Sequence, residues 1–203
     1  MDIDEKIGTE SLPLLQQLNN SQYSFVPFDI TSNTLNKQYD FVYSRFLISH
    51  MTNPVAIIKK LYDAVKPGGI LVIQDYDFAA IKVNDKLENI TGYMRYLMLQ
   101  LFPKAGRDPE AGTNLSKYFI AASIGKPDGT DASSIITPVF VMAAMLKSVT
   151  LSVKQSILEH GVATEERLAQ YINDLDAQIA AQENEFCLWP MLSSAWIQKP
   201  AVS

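Results

Sequence analysis

The stretch from residue 39 to residue 78 constrains the fold more than any other part of this chain. It reads YDFVYSRFLISHM, then TNPVAIIKKLYDAV, then KPGG, and then ILVIQDYDF. Strands that are covered on both faces are continuously apolar, and two parallel strands need a long crossover connection, which is usually a helix. This order therefore predicts a βαβ unit, with strands over 39–44 and 70–75 and a helix from Pro54 to about Val65 that is capped by Asn53.

Apolar spacing and turn residues predict further elements on either side of this unit. Helices are predicted over 10–20, 84–102, about 112–123 and 164–180, with a long apolar stretch over 138–159. A strand is predicted over 22–30, although Pro27 lacks a backbone donor, and residues 125–131 are predicted to be irregular. The alternating, aromatic segment 186–198 favours an edge strand or an antiparallel hairpin partner.

Composition and charge argue against several classes of protein. The 203 residues have a formal net charge of −5 and lack the clustered Lys and Arg that phosphate backbones require, so no nucleic-acid partner is expected. The single cysteine, Cys187, cannot form an internal disulfide and fits a reducing cytoplasm, which is the expected location. The longest apolar stretch, 135–146, contains Pro138 and is too short to span a bilayer, and the acidic N-terminus does not resemble a secretory signal. No Cys/His cluster has the spacing of a metal site.

The residues of the βαβ unit resemble those of the class I S-adenosylmethionine-dependent methyltransferases. The resemblance rests on the strand ending YDFVYSR, the nearby His-Met pair, and the helix that closes in Lys-Pro-Gly-Gly before ILVIQDYDF. It continues through GRDPEAGTNL, IGKPDGTD, GVATEERL and LSSAWIQKP. It implies S-adenosyl-L-methionine as cofactor and a small-molecule methyl acceptor.

The same resemblance implies an α/β fold: an incomplete Rossmann-like sheet with helices on both faces and a helical C-terminal cover. In that reading residues 1–83 are the C-terminal part of the cofactor-binding core. Residues 84–185 are the acceptor-side cover, and 186–203 return a final strand to the core sheet.

The glycine-rich turn that marks this family is not found in the chain. The family pattern is roughly Glu-x-Gly-x-Gly-x-Gly after the first strand, whereas the nine glycines here are scattered. The resemblance therefore implies an N-terminally truncated domain without the first strand, which in the family lies between the second and the fourth. Because an unpaired central strand edge is costly, we expect the third strand to close onto the fourth, or a second copy to complete the sheet as a homodimer.

The resemblance also assigns cofactor-binding residues. Asp2 corresponds to the acid that binds the ribose hydroxyls, and Asp29, with Ile30 beside it, corresponds to the acid near the adenine amino group. Ser44, Arg45 and Phe46 follow the fourth strand and correspond to the lining of the methyl-donor pocket. The residues alone leave other readings open: Asp2 is also an exposed terminal acid, Asp29 a turn opener, and Arg45 a surface ion pair.

No catalytic residue can be assigned from the sequence, and three residues are candidates. His50 has the chemistry of a general base, but in relatives the matching His is usually structural. Asp75 and Asp77 flank Tyr76, and paired carboxylates can support acid–base chemistry, although a polar strand exit explains them as well. Methyl transfer demands little side-chain chemistry, because aligning an acceptor with the methyl group supplies much of the rate.

Two functional hypotheses follow from the sequence. In the first, the chain is a small-molecule methyltransferase. In the second, it is a folded but inactive relative that acts as an interaction or dimerisation module. A flavin or nicotinamide enzyme on a similar sheet would need its own phosphate-binding glycines.

Overall fold

The computed structural model describes residues 24–82, 88–183 and 185–201, together with Lys6, Thr9, Glu10 and Pro13. The chain divides into two units, Met1–Gln38 and Tyr39–Ser203. In the first unit, the predicted strand over 22–30 is wrong for the described part, where only an isolated bridge forms at Pro27. The physical reason is local, since Pro27 lacks an N–H and Asp29 folds the chain into a turn. The predicted helix over 10–20 falls mostly outside the described residues.

The predicted βαβ unit is confirmed in the second unit. Strand β1 is Tyr39–Arg45, helix α1 is Pro54–Asp63, and strand β2 is Val65–Tyr76. The two strands are parallel, as expected. Asn53 caps α1, and its Oδ1 accepts a hydrogen bond of 3.1 Å from the backbone N of Ala56. The helix ends before the predicted Val65 because that residue already pairs with Tyr39 of β1.

The Lys-Pro-Gly-Gly segment is an irregularity within β2 and not a turn that precedes it. The register runs from Tyr39↔Val65 directly to Phe41↔Ile70, so these four residues bulge from the ladder. Gly68 has a φ of 81°, which favours glycine. A Cβ on Gly69 would lie 2.7 Å from the carbonyl oxygen of Asp40, so glycine permits the close approach of β1.

Two strands from later in the chain complete a four-stranded sheet. Strand β3 is Gly129–Ser133 and strand β6 is Leu192–Gln198, and the spatial order is β1-β2-β6-β3. The antiparallel pairing of the last segment is confirmed, but the prediction of an edge strand there is wrong, since β6 lies between β2 and β3. The prediction of irregular structure over 125–131 is wrong from Gly129 onwards. Gly129 pairs with Trp196, and a Cβ there would lie 2.1 Å from the indole ring, so the pairing depends on glycine.

The remaining predicted helices form with small shifts at their ends. A π-helical turn, Glu88–Gly92, leads into α2, Tyr93–Lys104. Helix α3 is Ala111–Ala121, α4 is Val139–Glu159, and α5 is Glu165–Ala181. Two short strands, β4 (Ile136–Pro138) and β5 (Phe186–Leu188), pair with each other. None of the helices in the described ranges is long and apolar enough to cross a membrane.

These elements pack as an α/β domain, so the predicted class is confirmed. Helices α2, α4 and α5 share an apolar core that includes Leu97, Leu146 and Tyr171. Helices α1 and α3 pack on β2. Two aromatic side chains at alternate positions of β1 remain exposed to solvent, Phe41 by 59% and Tyr43 by 48%. The predicted division at residues 83 and 185 stays a prediction, and β3, inside the predicted helical cover, belongs to the main sheet.

Candidate functional site

A cavity of about 330 Å³ lies at the carboxyl ends of β1 and β2. Open α/β sheets bind their ligands at this edge, and the volume falls in the usual range of small-molecule sites. A larger groove of about 620 Å³ lies at the opposite end of β2, around Gly68 and Trp196, where the fold rule does not place a ligand. The cavity at the carboxyl edge is therefore the candidate site. It is lined by Arg45, Phe46, Tyr76, Ser133, Ser134, Ile135, Trp189, Pro190 and Leu192.

Phe46 turns the chain sharply at the end of β1. Its φ is 54°, a left-handed conformation that aromatic residues rarely adopt and that costs on the order of 1–3 kcal/mol. Its backbone N donates to the carbonyl oxygen of Gln74 at 3.1 Å. Its ring stacks on Tyr76 with the centroids 4.2 Å apart and the planes at 17°. The turn thus presents two parallel aromatic rings at the cavity wall.

Arg45 places a cation beside these rings. Its guanidinium carbon lies 4.4 Å from the centroid of the Phe46 ring. No carboxylate in the described part of the chain pairs with it, so the surface ion pair that the sequence left open is not found there. An exposed guanidinium held over an aromatic ring is oriented and still has donors for a carboxylate or phosphate ligand.

Ser44 contributes an unusual polar group to the same strand end. The residue is buried, and within the described ranges its Oγ has no hydrogen-bond partner. Buried hydroxyls are normally paired, because an unpaired one has lost its water without a replacement. Ser44 pairs with Ile73 of β2, so its side chain lies on the buried face of the sheet with Asp75 and does not line the cavity.

Trp189 also lines the cavity and is hydrogen-bonded to Tyr76. Its Nε1 donates to the Tyr76 hydroxyl at 2.8 Å, and its carbonyl oxygen accepts from Ser134 Oγ at 2.5 Å. Four polar or aromatic lining residues are not among those predicted from the sequence: Tyr76, Ser133, Ser134 and Trp189. Tyr76 could have been found, because it lies at the carboxyl end of the predicted strand and alternation places it on the face opposite to Asp75. Trp189 gave no such signal, since only the fold brings it beside β2.

The candidate carboxylate Asp75 lies away from the cavity. It is 0% exposed and alternates with the cavity-lining Tyr76. Its Oδ2 accepts from the backbone N of Ile48 at 2.7 Å and of Ser49 at 3.2 Å, and its Oδ1 accepts from the backbone N of Tyr76 at 2.9 Å. Both of its oxygens are therefore occupied by backbone donors.

Asp77 is bound by a different set of donors. Its Oδ1 accepts from the backbone N of Ala80 at 3.0 Å, and its Oδ2 accepts from the Thr113 hydroxyl. The residue is buried. Asp75 and Asp77 thus anchor separate segments, and the expectation that they act as a catalytic pair stays a prediction.

His50 closes the short 3-10 turn Ile48–His50 that follows β1. Its ring lies 5.9 Å from that of Phe102. Desolvation lowers the pKa of His50 below its usual value, and the cation of Arg107 lowers it further, while the Asp75 carboxylate opposes both. A neutral imidazole is thereby favoured, although the residue is exposed, and the catalytic role of His50 stays a prediction.

In the first unit, the structure places the predicted adenine ligand within a turn. Asp29 Oδ1 accepts from the backbone N of Thr31 at 2.8 Å, and its Oδ2 accepts from Ser32 Oγ at 2.8 Å. Hydrogen bonds from Thr31 and Ser32 lower the pKa of Asp29 to about 2. The turn-opener reading of Asp29 is thus confirmed, and its adenine role, with Ile30, stays a prediction. Asp2 lies outside the described residues.

Comparison with known proteins identifies the family. A family model described as a methyltransferase domain matches residues 4–108, which is more than half of the chain. The chain belongs to the methyltransferase domain family. Among curated proteins, methyltransferase str2 of Strobilurus tenacellus is 31% identical over 97 residues, covering 47% of this chain and 33% of that protein. The chain therefore spans about a third of the length of this relative.

A solved structure supports the fold of this methyltransferase domain. A candidate methyltransferase from Bacillus halodurans C-125 superposes with a TM-score of 0.60 at 13% sequence identity, over 98% of this chain and 81% of that one. The predicted Rossmann-like architecture is confirmed by this likeness, which at such low identity concerns the fold alone.

Proposed function

We propose that this chain is an S-adenosylmethionine-dependent methyltransferase that acts on a small molecule. The observation that carries the proposal is the cavity at the carboxyl ends of β1 and β2 in a methyltransferase domain, where Arg45 has no carboxylate partner among the described residues. A cytoplasmic location is part of the proposal and rests on the single cysteine, while the net charge of −5 argues against a nucleic-acid partner.

The residues present suit the proposed cofactor. S-adenosylmethionine carries a carboxylate, a cationic sulfonium, a ribose and a planar base. Arg45 offers a guanidinium to the carboxylate, while Ser44 remains a proposed ligand on the resemblance alone. Phe46 and Tyr76 stack on each other and Arg45 lies over Phe46, so together they give the ligand an aromatic wall to pack against. Asp2, Asp29 and Ile30 remain proposed ligands on the resemblance alone.

For the proposed chemistry, the protein must orient the acceptor and exclude water from the cavity. When bound, the cofactor supplies a methyl group that is already a strong electrophile. The apolar walls formed by Ile135, Trp189 and Leu192 would hold a small acceptor and keep water out, and Arg45 would fix the orientation of a charged group. The absence of a dedicated nucleophile in the cavity is compatible with this reaction.

Calorimetric titration of the 203-residue chain with S-adenosylhomocysteine tests the proposal. We expect micromolar binding, and about tenfold weaker binding for Arg45→Gln, since a charge-assisted hydrogen bond contributes about 1.5–3 kcal/mol. Lys126→Gln removes the same charge from an exposed loop outside the cavity and should bind like the wild type. Folded protein that gives no heat, or equal affinities for the two variants, would contradict the proposal.

The interaction module remains a second candidate, and one observation favours it. β1 is an outer strand of the four-stranded sheet, and Phe41 and Tyr43 on it are largely exposed. Contiguous exposed apolar side chains are typical of association surfaces. We infer that a second copy of this chain covers them as a homodimer. Light scattering should then give twice the monomer mass for the wild type and the monomer mass for Phe41→Asp, and a monomeric wild type would contradict the inference.

A further inference from the structure

The carboxylate of Asp75 joins the two strand ends that border the cavity. It accepts from the backbone N of Ile48 at 2.7 Å and of Ser49 at 3.2 Å, both just beyond β1. It also accepts from the backbone N of Tyr76 at 2.9 Å, at the end of β2. A single carboxylate with 0% exposure therefore receives three backbone donors from two neighbouring strand ends.

The segment that Asp75 holds is the one that turns Phe46 toward Tyr76. Phe46 has a φ of 54°, and its ring centroid lies 4.2 Å from that of Tyr76. Such a conformation persists only where the surroundings fix the chain on both sides. On one side the backbone N of Phe46 is bound to Gln74, and on the other the donors of Ile48 and Ser49 are bound to Asp75.

Asp75 itself has no access to the cavity. Successive residues of a strand point to opposite faces, and Tyr76 lines the cavity. Leu71 and Ile73, on the same side of β2 as Asp75, are fully buried. A residue in this position can influence a ligand only through the groups that it holds.

We propose that Asp75 is a positioning residue of the methyl-transfer site, acting through the turn that holds Phe46 and Arg45 at the cavity wall. The proposal rests on the proposed function and replaces proton transfer as the role of this carboxylate. Loss of one acceptor oxygen would let the turn relax, the Phe46 ring would leave Tyr76, and the Arg45 guanidinium would move with it.

Asp75→Asn and Asp77→Asn form a matched pair of variants. Both remove one charge from an acid that is almost fully buried, since Asp77 is 3% exposed. The Asp77 carboxylate accepts from Ala80 and Thr113, and its hydrogen bonds in the described part of the chain do not reach the turn after β1. We expect about tenfold weaker binding of S-adenosylhomocysteine for Asp75→Asn and less than a twofold change for Asp77→Asn.

The same Asp75 substitution in a second variant separates an effect on positioning from a general loss of stability. In an Arg45→Gln, Phe46→Ala background both groups that Asp75 positions are gone, so adding Asp75→Asn should change the affinity for S-adenosylhomocysteine less than twofold, although it still lowers thermal stability. An equal loss of affinity in both backgrounds would overturn the proposal. So would equal effects of the Asp75 and Asp77 variants.

A spectroscopic measurement keeps this test independent of cofactor binding. The chain has two tryptophans, Trp189 and Trp196, so Trp196→Phe leaves Trp189, whose Nε1 is bonded to Tyr76, as the reporter. We expect Asp75→Asn to shift the Trp189 emission and Asp77→Asn to leave it unchanged. Wild-type protein that binds no S-adenosylhomocysteine would refute the proposed function. Unchanged Trp189 emission in Asp75→Asn would refute the positioning role.

Discussion

The hydrogen bond between Trp189 and Tyr76 should stabilise the cavity wall by a measurable amount. Tyr76→Phe removes the acceptor for the Trp189 Nε1 donor, which lies 2.8 Å away, and keeps the ring that stacks on Phe46. A net hydrogen bond contributes about 1 kcal/mol, and both side chains are only partly buried, so no larger desolvation cost is expected.

A double-mutant cycle isolates this contribution from the packing that Trp189→Phe also removes. The four proteins are the wild type, Tyr76→Phe, Trp189→Phe and the double variant, and we expect a coupling free energy of about 1 kcal/mol. With a urea m-value of about 2.5 kcal/mol/M, that coupling corresponds to about 0.4 M in the unfolding midpoint. The fluorescence of Trp196, present in all four proteins, reports the unfolding transition.

A parallel cycle provides the control. The Tyr43 hydroxyl donates to Gln74 Oε1 on the same sheet and shares no hydrogen bond with Trp189. Tyr43→Phe and Trp189→Phe should therefore be additive within about 0.3 kcal/mol. If the Tyr76 and Trp189 substitutions are equally additive, the hydrogen bond contributes nothing and the reasoning about the cavity wall is wrong.

Three further predictions concern the stability of the domain. Gly112→Ala should lower the free energy of unfolding by about 1–3 kcal/mol, because the added Cβ would lie 2.7 Å from the carbonyl oxygen of Asp75; an unchanged melting temperature would contradict this. Tyr171→Phe should cost about 1–2 kcal/mol in urea unfolding, since the fully buried hydroxyl donates to the Ile90 carbonyl at 2.8 Å; a neutral substitution would contradict it. His50 has a lowered pKa in the folded state, so the unfolded chain binds the proton more readily and stability falls as pH drops below 6.5; His50→Gln should flatten that slope, and an identical slope would be contrary evidence.

Some elements of the fold are specified by local sequence signals and others are not. The βαβ unit is predictable because its signals are local: continuous apolar strands, Asn53 before Pro54, and the apolar spacing of the helix between them. Strand β3 was missed because GTDAS carries no apolar alternation, and its partner β6 lies far along the chain. The strand over 22–30 was over-predicted because an aromatic, β-branched pattern outweighed Pro27 and the turn at Asp29.

In the candidate site, too, the positions of some residues are predictable from local signals and their roles are not. Arg45, Phe46 and Asp75 were selected because each lies at a predicted strand end, and residues at the carboxyl ends of parallel strands share one edge of the sheet. The roles of these residues are not predictable from the sequence, because the face on which a residue at a strand end lies depends on the register of the strand in the sheet. The structure turns Tyr76 toward the cavity and Asp75 toward the helices.

The sequence by itself determined the βαβ unit, the α/β class and the resemblance to methyltransferases, because apolar periodicity, caps and glycines act over a few residues. Only the tertiary structure decided that β6 lies inside the sheet, that Trp189 closes the cavity over Tyr76, and that Asp75 holds the turn carrying Phe46. The physical reason is that these pairings join groups distant in sequence, and such pairs are selected by the packing of the whole domain and not by local preference.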